Sequence, residues 1–153
     1  MRLEFVRAFI NITKEIFTEV LGAEVSTGPL ALESQPRIDN SVVTLVDLGG
    51  DVLGKIILQM DFSTASSMAM CMSGRNNLSR AMVASCIAEL TGMAVGRAIS
   101  WINEQSWNIH MTPPIVTIET KWKFVPQQVE TLIFPLKTAC GEVILNVSLV
   151  DKL

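Results

Sequence analysis

The chain has 153 residues, of which 49% are hydrophobic and 18% charged, and its formal net charge at pH 7 is −3. This length and composition predict a single folded domain over residues 1–153 and exclude extended disorder. The negative net charge argues against a nucleic-acid partner, because nucleic acids favour proteins with clustered Lys and Arg.

The cysteines and the charge pattern bear on the compartment. Cys71, Cys86 and Cys140 are an odd number of thiols without metal-ligand spacing, which predicts reduced, buried thiols and no structural zinc. Charged residues interrupt any early apolar run, so we expect no signal peptide. We also expect no membrane-spanning stretch, because even the most apolar segment contains Glu89 and Arg97. These features predict a soluble, cytoplasmic protein that does not enter a membrane.

The first half of the chain predicts two helices around a β-hairpin. An apolar stripe predicts a helix over Leu3–Leu21, which Gly22 ends. Glycine and proline in residues 23–40 indicate a loop or a short edge strand. A β-hairpin is predicted next, with strands over 41–48 and Val52–Met60 and a turn at Gly49-Gly50-Asp51. A helix over 62–72, capped by Asp61, follows it.

The second half predicts one long helix and then strands. The helix covers residues 78–103, with Asn76 or Asn77 as its cap, and Thr112-Pro113-Pro114 excludes helix further on. His110 precedes the prolines and is expected in a surface loop. Strands are predicted over 115–122, 129–137 and 142–150, with turns at Pro126 and at 138–141. Short connections require antiparallel pairing, so we predict an α+β fold in which the long helix and two others pack on an antiparallel sheet.

The long helix contains the candidate site. One of its faces, at spacing i, i+4, i+7 and i+11, holds one carboxylate among small residues: Ser85, Glu89, Gly92 and Gly96. A glycine inside a helix costs about 0.8–1 kcal/mol relative to Ala, so the missing side chains require an explanation. A ridge formed by Gly92 and Gly96 would let another backbone approach closely. Glu89 would pair with Arg80, pair near Arg97, or face a partner, because an unpaired buried carboxylate is costly.

Several short motifs, taken in order, resemble one family. They are the opening helix, Leu53-Gly54-Lys55-Ile56 after a glycine-rich turn, Glu89 with Gly96-Arg97-Ala98, Pro113-Pro114-Ile115-Val116, and the closing Gly141-Glu142-Val143. Their order and spacing resemble the CheX branch of the CheC/CheX/FliY family of chemotaxis phosphatases. The resemblance covers nearly the whole chain.

This resemblance implies a domain that binds a phosphorylated CheY-type receiver and accelerates loss of its aspartyl phosphate. The receiver would supply Mg²⁺, and this chain would need no cofactor. The family motif is Asp or Ser, three residues, Glu, two residues, and Asn on one helix face. Its carboxylate would bind a lysine near the phosphoryl group, and its amide would orient the attacking water. Ser85 and Glu89 match the motif, but Gly92 occupies the Asn position.

Three hypotheses follow: a receiver-binding protein with weak or lost phosphatase activity, an active phosphatase that uses Glu89 and another amide, and a non-catalytic structural dimer. Asn103 lies eleven residues from Gly92, about 16 Å along a helix, and cannot replace the missing amide locally. Asn76 or Asn77 would do so only if the preceding loop folded back. The resemblance also implies a homodimer, for which an exposed strand edge would be suited.

Overall fold

The computed structural model describes residues 2–119 and 128–151, with the side chain of Asp151 left out. Within these ranges the elements, in chain order, are α1 (Leu3–Leu21), β1 (Ser26–Thr27), β2 (Ala31–Glu33), β3 (Val42–Gly50), β4 (Val52–Met60), α2 (Phe62–Ser73), α3 (Arg80–Asn103), β5 (Ile109–Met111), β6 (Ile115–Ile118), β7 (Thr131–Thr138) and β8 (Gly141–Asp151). The predicted α+β fold is confirmed.

The strands form one antiparallel sheet in the order β1-β7-β8-β4-β3-β5, in which β2 also pairs with β7 and β6 with β3. Val46, Ile56 and Val147 stand side by side on neighbouring strands. All three are fully buried in the core that the helices complete. Because side chains alternate across a strand, the helices cover this face of the sheet and leave the opposite face to loops and solvent.

The helices begin and end where local chemistry requires it. Gly22 ends α1 in the left-handed conformation with φ 65°, which glycine adopts without steric cost. The Asp61 carboxylate accepts a hydrogen bond from the Thr64 backbone N–H at the start of α2. The Ser79 hydroxyl does the same for Met82 at the start of α3. The prediction that Asn76 or Asn77 caps α3 is therefore wrong.

Three further expectations need correction or lie outside the description. His110 lies in β5 rather than in a loop, and its ring packs across Gly49 on β3. The predicted strand 115–122 ends at Ile118; its positions 120–122 and the turn at Pro126 lie outside the described residues. The expected burial of all thiols is wrong, because Cys71 is exposed while Cys86 and Cys140 are half-buried.

α3 contains a long apolar stretch. The helix has 24 residues, and an 18-residue window within it has a mean hydropathy of 1.4, enough by length and composition alone to cross a membrane, so the expectation that no stretch is long and uncharged enough is wrong. Nine of its residues are buried against the sheet and the other helices. Packing in the core explains this hydropathy, since a core helix must be apolar on its buried sides.

Candidate functional site

The face of α3 turned away from the sheet is open to solvent. Ser85, Glu89 and Arg97 are exposed, Met93 is 40% exposed, and Gly92 is half-buried between them. The structure therefore brings the three sequence-predicted site residues, Ser85, Glu89 and Gly92, onto one accessible helix face. The spacing in the sequence indicated the shared face but not its exposure.

Glu89 has no hydrogen bond or ion pair with any residue in the described ranges. The two cations considered as its partners are occupied elsewhere. The Arg97 guanidinium pairs with Glu19 of α1 at 3.4 Å. The Arg80 guanidinium donates to the Ile118 carbonyl oxygen at 3.2 Å. Glu89 is thus a solvated carboxylate with its full hydrogen-bonding capacity available to another molecule.

Gly92 is not packed against another backbone. A Cβ built at Gly92 would meet only the Pro114 Cγ, at 3.6 Å, and one built at Gly96 only the Met111 Sδ, at 4.0 Å. Both are ordinary van der Waals distances. The hypothesis that these glycines let another backbone approach is wrong for the part of the chain that the structure describes. At Gly92 there is simply space where a side chain would stand.

No described amide side chain fills that space. Both ends of the Asn103 side chain hold β5, since its Nδ2 donates to the Ile109 carbonyl and its Oδ1 accepts from the Ile109 N–H, both at 2.9 Å. Asn76 and Asn77 precede the helix cap at Ser79. Ser79 itself is ten residues before Glu89, which corresponds to about 15 Å along the helix axis.

Asn11 of α1 lies nearer, but on another part of α3. It lines the groove beside Arg97, whose Cα is about 7 Å further along the axis than that of Gly92.

Cys86 lies one turn before Glu89 on the same helix. Burial, and secondarily the negative charge of Glu89, raise the pKa of the Cys86 thiol. Because the thiolate is the nucleophilic form, a raised pKa lowers the thiolate fraction of Cys86 at neutral pH. The thiol therefore contributes size and an apolar surface to the site rather than a nucleophile.

Hydrophobic side chains flank the carboxylate at both ends. Met82 and Met93 are 38% and 40% exposed, and Trp101 is 42% exposed. Met82 and Met93 are therefore surface residues of α3 and do not fill the core. From Met82 to Trp101 the exposed face spans about 28 Å at 1.5 Å per residue. Such a surface, on which exposed apolar side chains stand among a few polar and charged ones, is typical of a protein-binding face.

A groove of about 800 Å³ runs between α1 and α3 and joins this face at Arg97. Its walls are apolar at Ile12 and Trp101 and charged at Arg7 and Glu15. Within the described ranges, no group of three or more His, Cys, Asp or Glu side chains is placed to hold a metal ion. The arrangement around Glu89 can recognise a cation on a partner, and among the described residues its carboxylate is the one group near Gly92 suited to act as a base.

Comparisons with known proteins bear on the family and the fold of the chain. The family model described as chemotaxis phosphatase CheX matches residues 42–137. No curated protein sequence matches the chain. The fold is similar to that in the crystal structure of the CheX-CheY-BeF3-Mg²⁺ complex from Borrelia burgdorferi, with 22% identity, TM-score 0.85, and coverage of 98% of this chain and 100% of that chain.

Two further solved structures share the fold. A CheC-like superfamily protein from Shewanella sp. PV-4 is 17% identical with TM-score 0.85, and covers 99% of this chain and 100% of its own. A chemotaxis protein CheX from Desulfovibrio desulfuricans is 18% identical with TM-score 0.83, and covers 96% of this chain and 99% of its own. At these identities the likeness shows the fold alone.

Proposed function

Because the chain belongs to the CheX family, whose model matches more than half of it, we propose that it binds a phosphorylated CheY-type receiver domain in chemotaxis signalling. The observation that carries this proposal is Glu89, an exposed carboxylate that has no partner among the described residues and lies between the exposed Met82 and Met93. A structure similar to this chain is named as a CheX-CheY complex with BeF3 and Mg²⁺, which supports a receiver as the partner.

The chemistry of binding follows from the charge of Glu89. The carboxylate pairs with a lysine ammonium beside the phosphoryl group of the receiver, and the pair is shielded from water when the faces meet. Met82 and Met93 adapt to the receiver surface on either side, because the unbranched methionine side chain fits irregular contours. The Mg²⁺ and the phosphorylated carboxylate belong to the receiver, and this chain contributes no cofactor. Such an encounter takes place in the cytoplasm.

The same site favours binding without efficient hydrolysis. The family motif has an Asn where this chain has Gly92, and a glycine offers no side-chain group to orient an attacking water. The alternative of an active phosphatase would need a second amide near Glu89, and the described residues offer none. The alternative of a purely structural dimer loses its main support, since Gly92 and Gly96 do not serve close backbone packing within the described chain.

We further propose that the chain forms a homodimer through the edge of its sheet. β6 pairs with β3 on one side, and no described strand pairs with its other side. Ile115 on β6 is 62% exposed, and an apolar side chain on an edge strand favours pairing with another chain. Sedimentation velocity tests this: the wild type should sediment as a dimer and Ile115→Lys as a monomer. A monomeric wild type at micromolar concentration would reject the dimer.

Receiver binding is tested by titrating fluorescently labelled receiver domains from the same genome, with and without BeF3 and Mg²⁺. We expect binding only of an activated receiver. Glu89→Ala should weaken it by about tenfold or more, about 1.4 kcal/mol, because the receiver's lysine loses its partner. The matched control is Glu142→Ala, because Glu142 is an exposed carboxylate on β8. Its neighbour Val143 is buried in the core, so Glu142 lies on the face of the sheet opposite to the helices. Equal affinities for the two variants would contradict the assignment of Glu89.

A further inference from the structure

On the basis of the proposed function, we propose that this chain protects the aspartyl phosphate of its receiver and lengthens its lifetime. The inference goes beyond a loss of phosphatase activity, because it predicts an effect of the opposite sign. It rests on the apolar surroundings of the space at Gly92. It also rests on the methionine side chains that cover the phosphoryl group when Glu89 pairs with the receiver's lysine.

Gly92 lies three residues after Glu89 on a continuous helix. Side chains at this spacing are neighbours, about 5–6 Å apart between Cβ atoms. A phosphoryl group whose lysine is held by Glu89 therefore lies close to Gly92. The space that a side chain would occupy at position 92 faces the reacting phosphorus from the protein side.

That space offers little to hold a water molecule. Outside its own stretch of helix, its one close neighbour among residues 2–119 and 128–151 is the Cγ of the Pro114 ring, an apolar atom. The backbone of Gly92 is inside α3, where N–H and C=O groups bond within the helix. A well-ordered buried water typically makes two to four hydrogen bonds. With no described side-chain donor or acceptor at the position, a water there is not held in line with the phosphorus.

The rim of the site excludes bulk water at the same time. Met82 and Met93 flank Glu89 by one to two turns on either side, and both are more than a third exposed in the free protein. When they pack against a receiver, the solvent is displaced from around the carboxylate. The docked receiver thus loses bulk water at its phosphoryl group and gains no positioned water in return.

The requirements of the hydrolytic step then determine whether docking slows or accelerates the loss of phosphate. In hydrolysis, a water oxygen forms a bond to phosphorus, the bond between phosphorus and the aspartyl oxygen breaks, and the displaced carboxylate and phosphate share the released proton with solvent. The transition state requires an attacking oxygen opposite the leaving oxygen. A surface that covers this approach without placing a water in it slows the step.

The experiment measures the first-order loss of ³²P from a phosphorylated receiver, alone and with the full chain at a concentration that saturates the complex by independent titration. We expect the half-life to lengthen by about threefold or more. Glu89→Ala should return it to the value of the receiver alone at the same concentration. Gly92→Asn should shorten it, whereas Gly96→Asn, an equal change one turn further along, should retain the protection.

A saturated complex in which the phosphate decays as fast as in the free receiver, or faster, would overturn protection while leaving receiver binding intact. Absence of any complex with an activated receiver would overturn the proposed function itself, and protection with it. Retained protection in Gly92→Asn would also reject the inference, because it would mean that the space at position 92 does not control the water.

Discussion

Replacing Gly92 by asparagine restores the one side chain that the family motif has and this chain lacks. The structure allows the change, since a Cβ at position 92 would lie 3.6 Å from the Pro114 Cγ and, apart from its own stretch of helix, would meet no other described atom within 4 Å. Asparagine is a better helix residue than glycine by about 0.3 kcal/mol. For a domain of this size that gain corresponds to an increase in Tm of about 1 °C.

The effect on chemistry should be larger than the effect on stability. The oxygen of an amide three residues after Glu89 can accept a hydrogen bond from a water molecule. The water oxygen is then oriented toward the phosphorus, as the motif implies. We expect Gly92→Asn to accelerate ³²P loss from a bound receiver by about tenfold or more, about 1.4 kcal/mol of barrier. The assay compares first-order rates with the receiver alone, at equal occupancy of wild type and variant.

Gly96→Asn is the matched control. Position 96 is also half-buried on α3, and its Cβ would meet only the Met111 Sδ at 4.0 Å. It should gain the same helix stability without acceleration. A Gly92→Asn protein that binds the receiver and melts no lower than wild type, yet does not accelerate phosphate loss, would refute the idea that the amide is the missing part. A fall in Tm of several degrees would instead refute the open space at position 92.

Two other predictions concern packing and thiol chemistry. Gly54→Ala should lower the free energy of unfolding by about 2 kcal/mol, which corresponds to a fall in Tm of about 6 °C. The reason is that the added Cβ would lie 2.5 Å from the Ser148 carbonyl oxygen within the β4–β8 pairing. Gly92→Ala, at a position with space for a Cβ, should raise Tm in the same thermal melt. Glu89→Gln should speed the alkylation of Cys86 by iodoacetamide at pH 8. Burial first and the Glu89 charge second raise the pKa of that thiol. Removing the charge therefore lowers the pKa and increases the thiolate fraction.

Both predictions have outcomes that would contradict them. An unchanged Tm for Gly54→Ala would mean that β4 and β8 separate locally at no cost. The alkylation of Cys86 is followed by mass spectrometry of its peptide, and Glu142→Gln serves as the control at a distant carboxylate. If both charge-neutral variants react at the wild-type rate, Glu89 does not influence the thiol.

The elements that local chemistry determines were predictable from the sequence. α1 has the predicted limits because Gly22 ends an amphipathic stripe with a left-handed residue. The β3–β4 hairpin turns at Asp51, the last residue of the predicted turn, while Gly49 and Gly50 belong to β3. β5 was not predictable. Its three residues are too few to show a period, and its place depends on pairing with β3 and on the Asn103 side chain, which holds Ile109.

The candidate site was predictable in its residues but not in its environment. Spacing placed Ser85, Glu89 and Gly92 on one helix face, and the resemblance supplied the motif that they partly match. Their exposure could not be inferred, because α3 is apolar on most sides and reads as a core helix. The space at Gly92 depends on Pro114, which the sequence marked only as a helix breaker and which reaches α3 through the tertiary fold.

The segment from Ile109 to Ile118 touches both proposed interfaces. Met111 and Pro114 lie under Gly96 and Gly92 of α3, while the strand that follows them forms the free edge of the sheet beside β3. A second chain paired to that edge and a receiver docked on α3 would therefore act on two sides of one ten-residue segment. Any shift of the segment by one ligand changes the free energy of binding the other, and thermodynamic linkage makes that influence equal in both directions.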